Sequence, residues 1–353
     1  VKMKSILDLI ILLVLPILII GCDNNTEGSL PADTSTKLPY ECYHTYENAI
    51  LPNGDSASII FIKYPLSTEK DAVMTFGNKL STPNVYFDLS DIFIYNKSDS
   101  LNEYSRKDKN RVFGHMTDNI QPIRINVVNH ADGDFANISS PFFTGGFHGY
   151  QNITSSEVLP TMKEINKVIT ADGETILPGE KRKCKNIKMT VKNFLQASNT
   201  EKADGTGRYA IEQDIMVDFH NDTAFVKVDF TPIEDIKAYQ VGGLSFYNDL
   251  DNIQFIGSQT ESGIYPPNII IRADRNVKTI RQFNDFYIFD VSIDDNYGIG
   301  DLRYDFSPYN AEITDACKSY FHLIETSDTN PVIFLKGQTF SFKGEYVFRL
   351  NEK

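Results

Sequence analysis

Short runs of alternating apolar and polar residues recur along most of this chain. Segments 58–64 (SIIFIKY), 84–95 (NVYFDLSDIFIY), 123–129 (IRINVVN) and 187–195 (IKMTVKNFL) are rich in β-branched and aromatic residues. Similar runs occupy 209–219, 224–230, 269–272, 286–293, 320–324, 332–335 and 339–350. In 224–230, Ala224, Val226, Val228 and Phe230 share one side and Lys227 and Asp229 the other, with Phe225 the apolar exception. A period of two marks a half-buried antiparallel strand. Asn53-Gly54, Asp132-Gly133, Asp172-Gly173 and Asp204-Gly205 punctuate the runs, and the last two have the form of hairpin tips. Helical periodicity is scarce. Segment 160–167, with Pro160 in the first turn, predicts a short helix, and 315–321 a further turn. The pattern therefore predicts an all-β fold: a large antiparallel β-sandwich, or a jelly-roll-like pair of sheets, with few helices. No repeat of fixed period is present, which argues against a propeller or solenoid.

The first segment departs from this pattern. Residues 1–22 read VKMKSILDLIILLVLPILIIGC, with Lys2 and Lys4 ahead of an aliphatic run interrupted by Asp8 and Pro16. The run has the length of an export-signal core and is short for a membrane span. Its end, Ile20-Gly21-Cys22, resembles the lipobox of bacterial lipoproteins, although Ile20 is bulkier than the small residue usual there. The resemblance implies cleavage before Cys22 and lipidation of that cysteine. The remaining domain would then sit in the cell envelope, outside the cytoplasm, held to a membrane by the lipid anchor alone. Residues 23–39 are polar, contain two prolines and predict a flexible tether. Residues 40–353 predict one β-sandwich domain. Within it, 197–207 is the most linker-like stretch but also suits a long hairpin loop.

Charge narrows the partners. The 34 basic and 47 acidic residues leave a net charge of −13. Such a surface repels phosphate backbones and argues against nucleic acid. Cys42, Cys184 and Cys317 follow Cys22 with no C-x-x-C pair, so a structural zinc site is not expected and at most one bridge can form among the three. The alternative is three buried free thiols. Tryptophan is absent, so the 18 tyrosines and 24 phenylalanines must supply the large core side chains.

Three stretches carry candidate chemistry. The first is 141–152, PFFTGGFHGYQN, where Gly145, Gly146 and Gly149 surround His148. Glycines allow tight turns and close approach, and histidine is the usual proton carrier near neutral pH. Tyr150, two residues on, suits the same strand face. A loop histidine bonded to nearby backbone is the alternative. The second stretch is 294–304, DDNYGIGDLRY. Arg303 offers a planar fork for a carboxylate, Tyr304 a proton and Tyr297 a stacking ring. Asp294, Asp295, Asn296 and Asp301 offer oxygens to Ca²⁺, but not at the spacing of the EF-hand loop. A solvated turn is the alternative, and no other metal or cofactor is expected. The third is 318–324, KSYFHLI, in which a strand would place Lys318, Tyr320 and His322 on one face as lining for a polar groove. A basic run at 181–192 is a further candidate for anionic glycan, or simply a solvated face. His44, His115, His130 and His220 have no companions that would form a metal triad.

In this order, Thr144–Gly149, 290–304, 318–322 and 337–348 resemble a largely uncharacterised bacterial family of secreted and phage-tail-associated proteins. More loosely, they resemble the β-sandwich polysaccharide lyases. The resemblance implies a polysaccharide partner and, as an enzyme, β-elimination of uronic-acid glycan. The resemblance transfers no residue role. By chemical type His148, Arg303, Tyr304 and Tyr150 are the candidate catalytic residues, and Tyr297, Lys318, Tyr320 and His322 the candidate substrate-binding ones. A glycosidase would instead need two carboxylates, for which Asp290, Asp294 and Glu212 are available. The competing reading is a non-catalytic glycan-binding or structural surface lipoprotein.

Overall fold

The computed structural model describes residues 40–51, 54–79, 83–99, 110–114, 118–120, 122–134, 141–151, 158–294, 307, 309–327 and 329–352. Among them the chain is all-β, and every strand pair is antiparallel, as the alternation predicts. The expected export segment with Cys22, the expected tether, and the stretch containing Tyr297, Arg303 and Tyr304 lie outside the described residues, as do Asp295, Asn296 and Asp301.

Three sheets account for nearly all the described strands. A six-stranded sheet runs Lys181–Cys184, Tyr40–Ile50, Ser56–Pro65, Lys70–Asn78, Phe87–Asn96 and Arg111–Gly114. A ten-stranded sheet is built around the long hairpin Ile187–Glu201 and Gly207–His220, followed by Thr223–Pro232, Phe340–Leu350 and Tyr287–Ile293. A seven-stranded sheet centres on Ile236–Tyr247, flanked by Lys318–Glu325 and Ile123–Val127. Phe289 of the ten-stranded sheet meets Phe113 of the six-stranded sheet at 4.5 Å and Phe246 of the seven-stranded sheet at 5.7 Å between ring centroids. One side chain points to one face, so the ten-stranded sheet packs a single face against both of the others, as a sandwich does.

Local sequence explains these elements. Thr223–Pro232 alternates between buried and half-buried positions throughout, and Phe225, the apolar exception, packs beside the His220 ring. Asp172 and Gly173 have φ of 50° and 88° and close the hairpin in which Ala171 pairs with Glu174. Asp204-Gly205 caps the Ile187–Glu201 and Gly207–His220 hairpin. The linker-like stretch is therefore a hairpin end, and Ala197, Ser198, Asn199, Thr200 and Glu201 are buried within the fold.

The helix expected at 160–167 does not form. Met162–Ala171 is a strand paired with Ile187–Glu201, and its register slips between Glu164 and Asn166. That bulge leaves Ile165 exposed and shifts the buried phase by one residue, so a strand imitates helical spacing. The turn expected near 315 is a tight connection ending at Cys317, whose φ is 54°, after which Lys318–Glu325 is strand.

Candidate functional site

His148 lies on a tight reversal, its N–H donating to the Gly145 carbonyl at 2.9 Å. The reversal forms because its polar backbone groups find side-chain partners. Asn84 Nδ2 donates to the carbonyls of Gly146 and His148, each at 2.8 Å. Asn84 Oδ1 accepts the Thr161 and Met162 N–H groups. Thr161 Oγ1 donates to the His148 carbonyl at 2.5 Å and accepts from Gly145 N–H at 2.9 Å. Gly146, at φ 52°, passes so close to Asp118 that a Cβ there would stand 2.4 Å from its Oδ1. Both the backbone conformation and the lack of space require glycine at this position.

The loop presents the imidazole over a buried acid. Asp118 Oδ1 accepts the Tyr86 hydroxyl at 2.9 Å and Phe147 N–H at 2.6 Å, while Oδ2 lies 4.0 Å from His148 Nε2. The His148 side chain is 44% exposed and that of Asp118 6%. Burial raises the Asp118 pKa to about 7, with the neighbouring Asp88 carboxylate adding to the rise. Burial also raises Asp88, to about 6, against the nearby Lys79 ammonium and three backbone N–H groups. His148 moves the other way. Burial first, and then the positive charge of Lys318, lower its pKa and favour the neutral ring. A neutral, half-exposed imidazole beside an acid that titrates near neutrality can accept and hold a proton. Behind the loop, Gly145, Gly146, Asp88, Asn193 and Gln213 are among the residues lining a partly open pocket of about 10 Å³, at most the size of one water.

Lys318 links this loop to the third candidate stretch. Its ammonium stands 5.8 Å from the Tyr247 ring, across the pairing with Ile236–Tyr247. Tyr320, half-buried, continues the same face and lies 6.2 Å from the His322 ring. His322 does not line an open groove as its alternation suggests, for it is only 3% exposed. Glu312, Glu325 and the rings of Tyr309 and Tyr320 pack around it. Its two ring nitrogens approach Glu312 at 3.2 Å and Glu325 at 3.1 Å, and Tyr309 meets it edge-on. Glu312 is held below the usual carboxylate range by His322 and Arg272, which outweigh its burial. Arg272 in turn binds Glu312 at 3.1 Å, lies over the Tyr309 ring and remains 59% exposed.

Lys318 therefore acts on His148 through its charge, and Tyr320 follows Lys318 on one strand face. Tyr150 follows two residues after His148. That ring is buried against Phe142, and burial with the Glu201 charge raises its pKa. Pairing of His148 with Arg303 and Tyr304, and stacking by Tyr297, fall outside the described residues. No group of three or more His, Cys, Asp or Glu able to hold a metal occurs among the described residues. The basic run at 181–192 is divided between two sheets, with Arg182 paired to Glu180 and Lys192 to Glu212 and Asp214. Asp118, Asn84 and Arg272 were not foreseen. Nothing in the pattern around Asp118 (HMTDNI) or Asn84 sets them apart from ordinary turn residues.

No family model and no curated protein matches this sequence. Among solved structures the chain is similar to galactose 1-epimerase from Lactobacillus acidophilus NCFM, with a TM-score of 0.44 and 8% identity over 88% of this chain and 99% of that one. It is also similar to the galactosidase domain of an alpha-galactosidase-sucrose kinase, with a TM-score of 0.40 and 10% identity. That match covers 82% of this chain and 40% of the other. At this level neither a fold assignment nor a residue role is carried across.

Proposed function

We propose that this protein is a lipid-anchored envelope protein that cleaves uronic-acid polysaccharide by β-elimination, with His148 as the base. The observation that supports this reading is a neutral, half-exposed imidazole held over Asp118 and within electrostatic reach of Lys318. In β-elimination the C5–H bond and the C4–O bond break and a C4=C5 double bond forms. The base takes the C5 proton, and a cation beside the uronate carboxylate stabilises the charge that develops. With Nε2 turned to Asp118, Nδ1 is the nitrogen left to take the proton. Asp118 then stabilises the imidazolium, Lys318 pairs with the carboxylate, and Tyr320 donates to the departing oxygen. The exposed guanidinium of Arg272, further along the same sheet, suits a second anionic sugar unit. Because the base must be neutral, turnover rises with pH through the lowered His148 pKa.

The test is incubation with polyuronates, reading the absorbance of unsaturated uronate. His148→Ala is expected to slow product formation by ~10²-fold or more with the melting temperature nearly unchanged. Full activity in that variant, or no unsaturated product from any polyuronate, overturns the proposal. The tie from Asp118 to Tyr86 and Phe147 N–H favours a second reading, in which the loop is braced only to bind glycan. Retention of the polymer without product would select it.

A further inference from the structure

Cys42 and Cys184 occupy adjacent strands of the six-stranded sheet, which pair in the register Tyr40 with Cys184 and Cys42 with Arg182. The two cysteines are thus diagonal neighbours. Their sulfurs lie 3.7 Å apart, and both side chains are buried in the main apolar core. Cys317 sits elsewhere, in the turn before the Lys318–Glu325 strand of the seven-stranded sheet. A reduced thiol pair buried at this separation is held only by a weak hydrogen bond. The same two sulfurs need to close by somewhat under 2 Å to reach bonding distance.

We propose that Cys42 and Cys184 form an intramolecular disulfide when the chain folds in the presence of a disulfide oxidant, leaving Cys317 as a thiol. In the reaction one cysteine thiolate attacks the oxidant's disulfide and releases one thiol. The second cysteine then attacks the mixed disulfide and releases the other. Two S–H bonds are lost, one S–S bond forms, two protons pass to solvent and the oxidant takes up two electrons. Folding is the time for the exchange, since the closed core leaves both residues almost without access. The product would join positions 142 residues apart and fix the four-residue edge strand Lys181–Cys184 to the first described strand. An edge strand this short has few pairs of its own, and a covalent tie holds it against fraying.

The experiment starts from the full chain carrying Cys22→Ser, so that no fourth thiol competes. The reduced, unfolded protein is refolded in mixed oxidised and reduced glutathione, alkylated, and mapped by protease digestion and mass spectrometry. The expected result is a linked pair of peptides carrying Cys42 and Cys184 in most molecules, with Cys317 alkylated. The linked protein is expected to melt roughly 5–15 °C above the same protein after reduction. Cys42→Ala and Cys184→Ala should each abolish that difference, and Cys317→Ala should keep it. Should either alanine variant fail to fold, the comparison of oxidised with reduced wild type still decides. Folded protein with both cysteines alkylated or separately glutathionylated, or a bridge to Cys317, overturns the proposal. Refolding in vitro makes the result independent of export.

Discussion

Glu201 is fully buried, and among the described residues neither of its carboxylate oxygens has a hydrogen-bond partner. Burial raises its pKa to about 9, so the folded protein carries it protonated at neutral pH. Asp118 is raised to about 7 by the same cause. Both acids bind protons more tightly when folded than when unfolded. Their contribution to stability is therefore complete below the ordinary carboxylate range and is lost as pH rises through about 7 and then about 9. Thermal unfolding is expected to show a falling melting temperature across that interval. Glu201→Gln should flatten the alkaline part of the fall. An unchanged slope in that variant would show that Glu201 ionises freely in the folded state. This trait was not legible in the sequence, because Glu201 lies within the polar stretch 197–207 that reads as solvent-exposed. His148 was legible, because three glycines around one histidine imply a backbone constraint. Its partner Asp118 was not, because the two meet only through tertiary packing.

At the scale of elements, alternation and turn chemistry carried most of the fold, and the misreadings fall where a strand loses its phase or a neighbour covers its face. The bulge at Ile165 turned a strand into apparent helix. His322 is buried by Glu312 and Tyr309, from a neighbouring strand and the segment before it, which alternation along its own strand does not register. Glycines separate the same two levels. Gly173 has φ 88° and open space where a Cβ would stand, so Gly173→Ala meets only backbone strain. About 1–2 kcal/mol is expected for that variant. Gly146→Ala meets similar strain and, in addition, the Asp118 carboxylate. It should cost clearly more, on the order of 3 kcal/mol or above, and should displace His148. Denaturant midpoints of the two variants provide the check. Equal losses would mean that the loop relaxes away from Asp118 without penalty.

The whole molecule depends on how one large sheet serves two others without tryptophan. Phe289 stands where they meet. Beyond Phe113 and Phe246 it stacks on Tyr346 at 6.0 Å and contacts Phe348 at 6.5 Å between ring centroids. Tyr346 in turn donates its hydroxyl to the Asn119 carbonyl at 2.8 Å, next to Asp118. The packing junction and the candidate site are therefore joined through two residues. This junction was not legible in the sequence, since alternation identifies the inward residues of each strand but not which sheet they face. At the outermost scale, the lipobox resemblance at Cys22 makes its own prediction. Cys22→Ser should release the protein from membranes or leave it unprocessed, and fractionation identical to wild type would remove the anchor from the proposal. Phe289→Ala tests the junction itself. Removing a fully buried ring that touches both opposing sheets should cost about 3–5 kcal/mol. If the sheets share one core, the variant should still unfold in a single transition, with near-ultraviolet dichroism and intrinsic tyrosine fluorescence changing together. Two separated transitions would show that the six-stranded and seven-stranded sheets fold as independent units. The link from Phe289 to the site would then be broken, because a junction that does not hold the sheets together cannot fix Asp118 under His148.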